Sequence, residues 1–231
     1  MAASLPYLEE AFEVVVSGSR PWARFRTEPG FDSRTAEEVL SSLGHLRPTR
    51  SGGKRIDFLT PATSDLAHPR SLSARFGEGV FPAHIDGAHC PVPPRILALW
   101  CEVDEQSRPT LLLPWSTVAA RIPRPDRMFR EVFWIRSGRD SFLDSILSER
   151  REFARLDPGC MEPATRNAAA LLSEVLCMID GCELDRIEWV PGLGVIINNW
   201  RALHARGATK HSGKRLLGRA WIDPLNLKEA R

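Results

Sequence analysis

The chain has 231 residues, long enough for a single domain with a substantial buried core. Its 31 Lys and Arg against 29 Asp and Glu leave a formal charge of +2, spread along the sequence, which gives no electrostatic reason to expect nucleic acid or an anionic membrane as partner. The start, "MAASLPYLEEAFEVVV", places Glu9, Glu10 and Glu13 where a secretory segment would be apolar, and no later run reaches the roughly 18 apolar residues of a membrane span, so a cytoplasmic protein is expected.

In chain order, "LPYLEEAFEVVV" reads as a helix and "WARFRTE" as a strand. The stretch "DSRTAEEVLSSLG" reads as a second helix, capped by Asp32 or Ser33 and stopped at Gly44. Strand-length β-rich runs follow in "RILALWCEV" and "EVFWIR". One long helix lies in "PATRNAAALLSEVLCMIDG", residues 163–181, where Ala164, Ala168, Leu171, Leu172, Val175, Leu176 and Ile179 recur at helical steps between Pro163 and Gly181. "RIEWV" and "GVIINNW" give strands around the turn "PGLG", and "KRLLGRAWID" gives the last. The pattern predicts a mainly β domain with flanking helices, too irregular for βαβ repetition. Five cysteines with no CxxC spacing predict reduced thiols, with Cys177 packed inside the apolar helix face.

The chemistry concentrates in "FPAHIDGAHC", residues 81 to 90. On a strand, alternate side chains share a face, so His84 and Asp86 would project together while Ile85 turns away. Alone, His-x-Asp is a weak signal that a solvated surface turn explains equally well. The second half of the chain strengthens it: "WVPGLGVIINNWRALHARG" reads as a turn, an apolar strand and a polar segment ending at His204. Two His and one carboxylate form the facial triad of non-haem Fe(II), with a Zn site as the competing reading. Arg215 and Arg219, four residues apart on the final strand, would share one face about 13 Å apart at roughly 3.3 Å per residue. A dicarboxylate cosubstrate would account for at least one of them, because guanidinium binds carboxylate bidentately; a solvated edge is the plainer alternative.

Taken together, "FGEGVFPAHIDGAHCPVPPRILALWC", "PTLLLPW" and "VPGLGVIINNWRALHARG…KRLLGRAWI" resemble the taurine dioxygenase (TauD/TfdA-like) family of Fe(II)/2-oxoglutarate-dependent oxygenases. The likeness runs from about residue 70 to 223. It rests on order and spacing: His-x-Asp, a threonine 26 residues after the histidine, a distal histidine, then arginines 11 and 15 residues later.

The resemblance implies that His84, Asp86 and His204 bind Fe(II), and that Arg215 and Thr110 hold the distal carboxylate of 2-oxoglutarate. Arg219 matches a second family arginine, nearer the substrate. It also implies one domain over 1–231, with residues 1–69 flanking a double-stranded β-helix (jelly-roll) core over 70–223 and a helical insert near 163–181. The expected reaction consumes O2 and 2-oxoglutarate and oxidises a C–H bond of a small-molecule substrate, usually by hydroxylation, with succinate and CO2 as coproducts. Oligomeric state stays open.

Two positions depart from the family pattern: Ile85 stands where Thr is common, and Asn198 where Asp is common. A cupin-like isomerase or hydrolase and a non-catalytic acid-binding jelly roll are the competing functions, and the arginine pair speaks against the first. His89 reads as a loop histidine rather than a ligand; His45, His68 and His211 lie beside turn-type sequence and carry no assigned role. "RLDPGCMEP" reads as a structural turn into the long helix, with Arg155 or Cys160 at a pocket mouth as the alternative. Trp200 and Trp221 are the tryptophans placed to shape the pocket.

Overall fold

Apolar runs buried on both faces set the centre of the structure. The computed structural model describes residues 7–28, 31–50, 52–60, 72–138, 140–147, 153–209 and 213–225. His68 and His211 fall outside them.

The chain opens with helix α1 (Leu8–Val16), strand β1 (Trp22–Arg26), helix α2 (Ser33–Leu43) and two short strands, β2 (Gly44–Arg47) and β3 (Ile56–Leu59). After the short helix α3 (Leu72–Phe76) come β4 (Phe81–His84), β5 (Ile96–Asp104) and β6 (Thr110–Pro114). Two one-turn helices, α4 (Trp115–Ala119) and α5 (Arg127–Arg130), lead to β7 (Val132–Ser137), β8 (Asp140–Ser145) and β9 (Met161–Pro163). The long helix α6 (Arg166–Asp180) precedes β10 (Asp185–Ile187), β11 (Leu193–Asn198), β12 (Ala202–Arg206) and β13 (Arg215–Pro224).

The strands form three antiparallel sheets. The major sheet runs β1-β11-β5-β13-β2, with β3 also pairing with β13; the minor sheet runs β10-β6-β12-β4; a small third sheet runs β8-β7-β9. Side-chain alternation sorts β5 between two cores. Ile96, Ala98 and Trp100 pack outward with Leu8, Phe12 and Val15 of α1 and with Ala36 and Leu40 of α2. Leu97, Leu99 and Cys101 pack inward with Val195, Ile197, Leu217 and Trp221, and with Leu112, Ile187 and Ala202 of the minor sheet. The major and minor sheets therefore face each other across an apolar layer. Behind the minor sheet, Leu113, Leu203 and Ala205 pack with Ala168, Leu171, Val175 and Ile179 of α6 and with the third sheet. Burial of each Leu, Ile, Val or Phe side chain among them contributes about 1.5–3 kcal/mol, so the stack of layers carries most of the stability.

Several sequence expectations need amendment. Asp32 caps α2 by accepting from the backbone N–H groups of Arg34 and Thr35, as expected. Gly44 ends that helix in extended backbone, and it is needed for close approach instead: a Cβ there would lie 2.6 Å from the Asp223 carbonyl oxygen and 2.5 Å from Ile222 Cγ2. Ala164 lies exposed ahead of α6, and Cys177 is exposed on its outer side, because the buried stripe runs through Ala168, Leu171, Val175 and Ile179 and leaves position 177 facing away. "RIEWV" is paired only as far as Ile187. His45 sits within β2, exposed, rather than in a turn. The flanking segment contributes β1, β2 and β3 to the major sheet itself. No helix among the described residues is long and apolar enough to cross a membrane.

Candidate active site

The inner face of the minor sheet carries the polar residues. His84 closes β4 and lies opposite His204 on β12 in the antiparallel register, which brings the two rings to a centroid separation of 4.3 Å. His204 is thus a strand residue and not the end of a polar loop, because Ala202–Arg206 pairs on both sides, with β4 and β6. Asp86 also departs from expectation. β4 stops at His84, so the carboxylate is presented from the following turn rather than from a shared strand face. Ile85 does turn away, into the core behind the minor sheet.

Asn199 fixes that turn. Its Oδ1 accepts from the Asp86 backbone N–H at 2.9 Å, and its Nδ2 donates to the carbonyls of Asp86 and Pro94 at 2.9 and 2.8 Å. Gly87 follows with φ +68°, where a Cβ would also meet Pro94 Cδ at 2.5 Å, so the turn demands glycine for both backbone and space. The side chains of His84, Asp86 and His204 are all buried, and their ligand-type atoms lie within 4.8 Å of one another. Asp86 Oδ1 sits 3.7 Å from His84 Nε2 and 3.4 Å from His204 Nε2. The Nδ1 atom of His84 is 2.9 Å from the Pro82 carbonyl, which selects the tautomer with Nε2 free to ligate.

The other carboxylate oxygen of Asp86 is held from the major sheet. Trp221 Nε1 donates to Oδ2 at 2.8 Å and Arg219 Nη1 at 3.1 Å. Burial opposes the Asp86 charge, but Arg219 and the two histidines outweigh it and keep this carboxyl well below the usual range. Burial also disfavours protonated histidine; the Asp86 hydrogen bond reverses that for His84, whose pKa is raised. At His204 burial and the neighbouring His84 win, and its pKa is lowered. Two nitrogens and one carboxylate oxygen, presented together, suit a divalent metal with an open opposite face; this donor set fits Fe(II) and Zn(II) alike.

Thr110 begins β6 opposite Arg206, two residues beyond His204 along β12, about 7 Å at roughly 3.3 Å per residue. Trp189 Nε1 donates to Thr110 Oγ1 at 3.0 Å, leaving the hydroxyl proton free for a ligand. Arg215 is buried on the facing strand, its Nε 3.8 Å from Asp104 Oδ1 and without a hydrogen bond among the described residues. Burial lowers the pKa of Arg215, with Asp104 opposing. Arg219 sits elsewhere: besides Asp86 it donates from Nη2 to Asp57 Oδ2 at 2.7 Å, so two carboxylates engage its guanidinium. His84, Asp86 and His204 are therefore one cluster, Thr110 and Arg215 lie to one side, and Arg219 braces Asp86 from behind.

Other candidates resolve into supports. Arg155 is fully buried, ion-paired with Asp144 at 2.8 Å, and donates to the carbonyls of Ala88, Cys90 and Pro91, so it pins the loop that follows Asp86. Trp200 donates to the Pro93 carbonyl at 2.9 Å and supports the same loop. His89 is half-buried beside Trp221, ring centroids 6.2 Å apart, outside the ligand cluster. Cys160 is buried, and burial pushes its thiol up. Sequence reasoning passed over Asn199 and Arg108. The second lies two residues before Thr110, a period-2 spacing that would have put it on the same face.

No family model matches the sequence, and no curated protein sequence matches it. Solved structures do resemble the fold. An asparagine oxygenase in complex with Fe(II), 2S,3S-3-hydroxyasparagine and succinate superposes with TM-score 0.75 at 16% identity, covering 93% of this chain and 78% of that one. The non-haem iron oxygenase OrfP in complex with Fe and α-ketoglutaric acid gives 0.69 at 17%, with coverage of 93% and 78%. PvcB from Pseudomonas aeruginosa, described as an Fe, α-ketoglutarate dependent oxygenase from an isonitrile synthetic pathway, gives 0.66 at 18%, with coverage of 90% and 77%. At such identities the likeness establishes a shared fold.

Proposed function

We propose that this protein is an Fe(II)- and 2-oxoglutarate-dependent dioxygenase that hydroxylates a C–H bond of a small polar metabolite or natural-product intermediate. The observation that carries the reading is the pairing of two sites between the facing sheets: a buried His-Asp-His cluster, and to one side of it a buried arginine with an unanswered N–H and a threonine hydroxyl. The major and minor sheets are read as the two halves of a double-stranded β-helix over residues 70–223, within a single domain and a cytoplasmic setting.

His84, Asp86 and His204 would hold Fe(II), while Arg215 and Thr110 would hold the distal carboxylate of 2-oxoglutarate. Iron and 2-oxoglutarate, when bound there, would supply O2 activation, with succinate and CO2 as coproducts. The chain's own part is positional. Asp86 stays ionised under Arg219 and Trp221, His84 keeps Nε2 forward through Pro82, and the apolar layer between the sheets excludes water from the inner end of the site. Two of the named neighbours are solved in complex with amino acids, the asparagine oxygenase with hydroxyasparagine and OrfP with hydroxy-L-arginine, which supports an amino acid or its derivative as the first substrate class to screen.

Anaerobic addition of Fe(II) and then 2-oxoglutarate should produce a weak visible charge-transfer band, and His204→Ala should abolish it. No band in the wild-type protein, or a band that persists in His204→Ala, overturns the reading and favours a metal hydrolase or isomerase, or a non-catalytic binder. Succinate release across an amino-acid panel then identifies the substrate.

A further inference from the structure

Arg108 is a cation near the site whose burial the described residues do not explain. It is 1% exposed, yet its Nε and Nη1 reach no hydrogen-bond partner among the described residues. A guanidinium stripped of water and left without acceptors is costly, so such a group is expected either to be answered by a neighbour or to await an anion. The nearby carboxylates, Glu78 and Asp104, favour its charge through space, but neither accepts a hydrogen bond from Nε or Nη1. Asp104 Oδ2 accepts from the backbone N–H of Arg108 at 3.2 Å and its Oδ1 lies near Arg215, so one carboxylate serves two arginines. Glu78 occupies an exposed position.

A third guanidinium adds to the imbalance. Arg206 lies opposite Thr110, donates to the Gly77 and Gly79 carbonyls and packs over the Phe81 ring. Arg206 faces Thr110 across the strand pair, two residues from His204, and Asp104 joins the Arg108 backbone to Arg215, whose Nε is unanswered, so the cationic excess lies toward the metal-type cluster. Resting on the dioxygenase reading, we propose that Arg108 is a second cosubstrate-binding group which, with Arg215, clasps the distal carboxylate of 2-oxoglutarate and makes the site selective for 2-oxo diacids over 2-oxo monoacids.

The test is equilibrium binding, not turnover. Fe(II)-loaded protein is titrated anaerobically with 2-oxoglutarate and, separately, with 2-oxobutyrate, which keeps the chelating end and lacks the distal carboxylate. Arg108→Met should weaken 2-oxoglutarate roughly 10- to 100-fold, the loss of a charge-assisted pair, and 2-oxobutyrate by less than about twofold, with Fe(II) binding unchanged. A purely structural arginine would move both acids together. Equal loss for both, or unchanged 2-oxoglutarate affinity, overturns the proposal while leaving the dioxygenase reading intact; no 2-oxoglutarate binding in the wild type overturns both. Should Arg108→Met fail to fold, Arg108→Lys decides, since it keeps the charge and loses the fork. A several-fold loss confined to 2-oxoglutarate is expected there, and wild-type affinity or a loss shared with 2-oxobutyrate overturns the proposal.

Discussion

The carboxylate of Asp86 and the guanidinium of Arg215 are both buried between the two facing sheets, yet the chain treats them in opposite ways. Asp86 faces His84 and His204 with one oxygen and takes hydrogen bonds from Arg219 and Trp221 on the other, while Asn199 holds its backbone. Arg215 has one carboxylate at 3.8 Å and an unpaired Nε, and Arg108 beside it has two unpaired nitrogens. A site that must hold a metal before turnover is fixed in advance by the fold. A site for a consumed and released cosubstrate keeps its donors unsatisfied until the ligand arrives. The contrast teaches that the two halves of the site should fail differently when mutated.

The largest expected effect is at the unsatisfied end. Arg215→Ala should raise the 2-oxoglutarate concentration for half-saturation roughly 100-fold while Fe(II) affinity, read by anaerobic titration, stays within about twofold. Loss of metal affinity instead would erase the distinction between the two ends. Asn199→Ala comes next. It strands the Asp86 N–H and two carbonyls, and a chemical-denaturation curve should show about 2–3 kcal/mol of lost stability. A change below about 0.5 kcal/mol would show that the turn is held by other contacts. Trp221→Phe keeps the packing and removes one hydrogen bond to Asp86, so Fe(II) should bind roughly tenfold more weakly with 2-oxoglutarate affinity of the loaded protein preserved. An unaltered Fe(II) affinity would mean that Arg219 alone suffices to orient the carboxylate.

Much of the scaffold was legible in the chain, and the reasons are local. "RILALWCEV" reads as a strand because it is continuously apolar, and β5 is buried on both faces. The α2 cap at Asp32 and the stripe of α6 follow from side-chain chemistry and helical period. Cys177 was misplaced because Ala168, Leu171, Val175 and Ile179 alone suffice to fill the contact, a width that the apolar count overstates. β2, β3, β8 and β9 escaped notice because half or more of their residues are not buried, so pairing rather than apolar pattern makes them strands.

The resemblance to the taurine dioxygenase family, carried by the order and spacing of these residues, was enough to nominate His84, Asp86, His204, Thr110, Arg215 and Arg219. What the sequence could not decide is how the residues meet. That Asp86 speaks from a turn tied down by Asn199, 113 residues away, depends on a contact between distant segments. That Arg219 gives Nη1 to Asp86 and Nη2 to Asp57, with Nε left unpaired among the described residues, depends on β3 pairing with β13. That Arg108, in the loop between β5 and β6, is buried with Nε and Nη1 unpaired among the described residues depends on tertiary packing. Local pattern specifies which side chains share a strand face; only the packing of one sheet on another determines which charges are answered and which are left for a ligand.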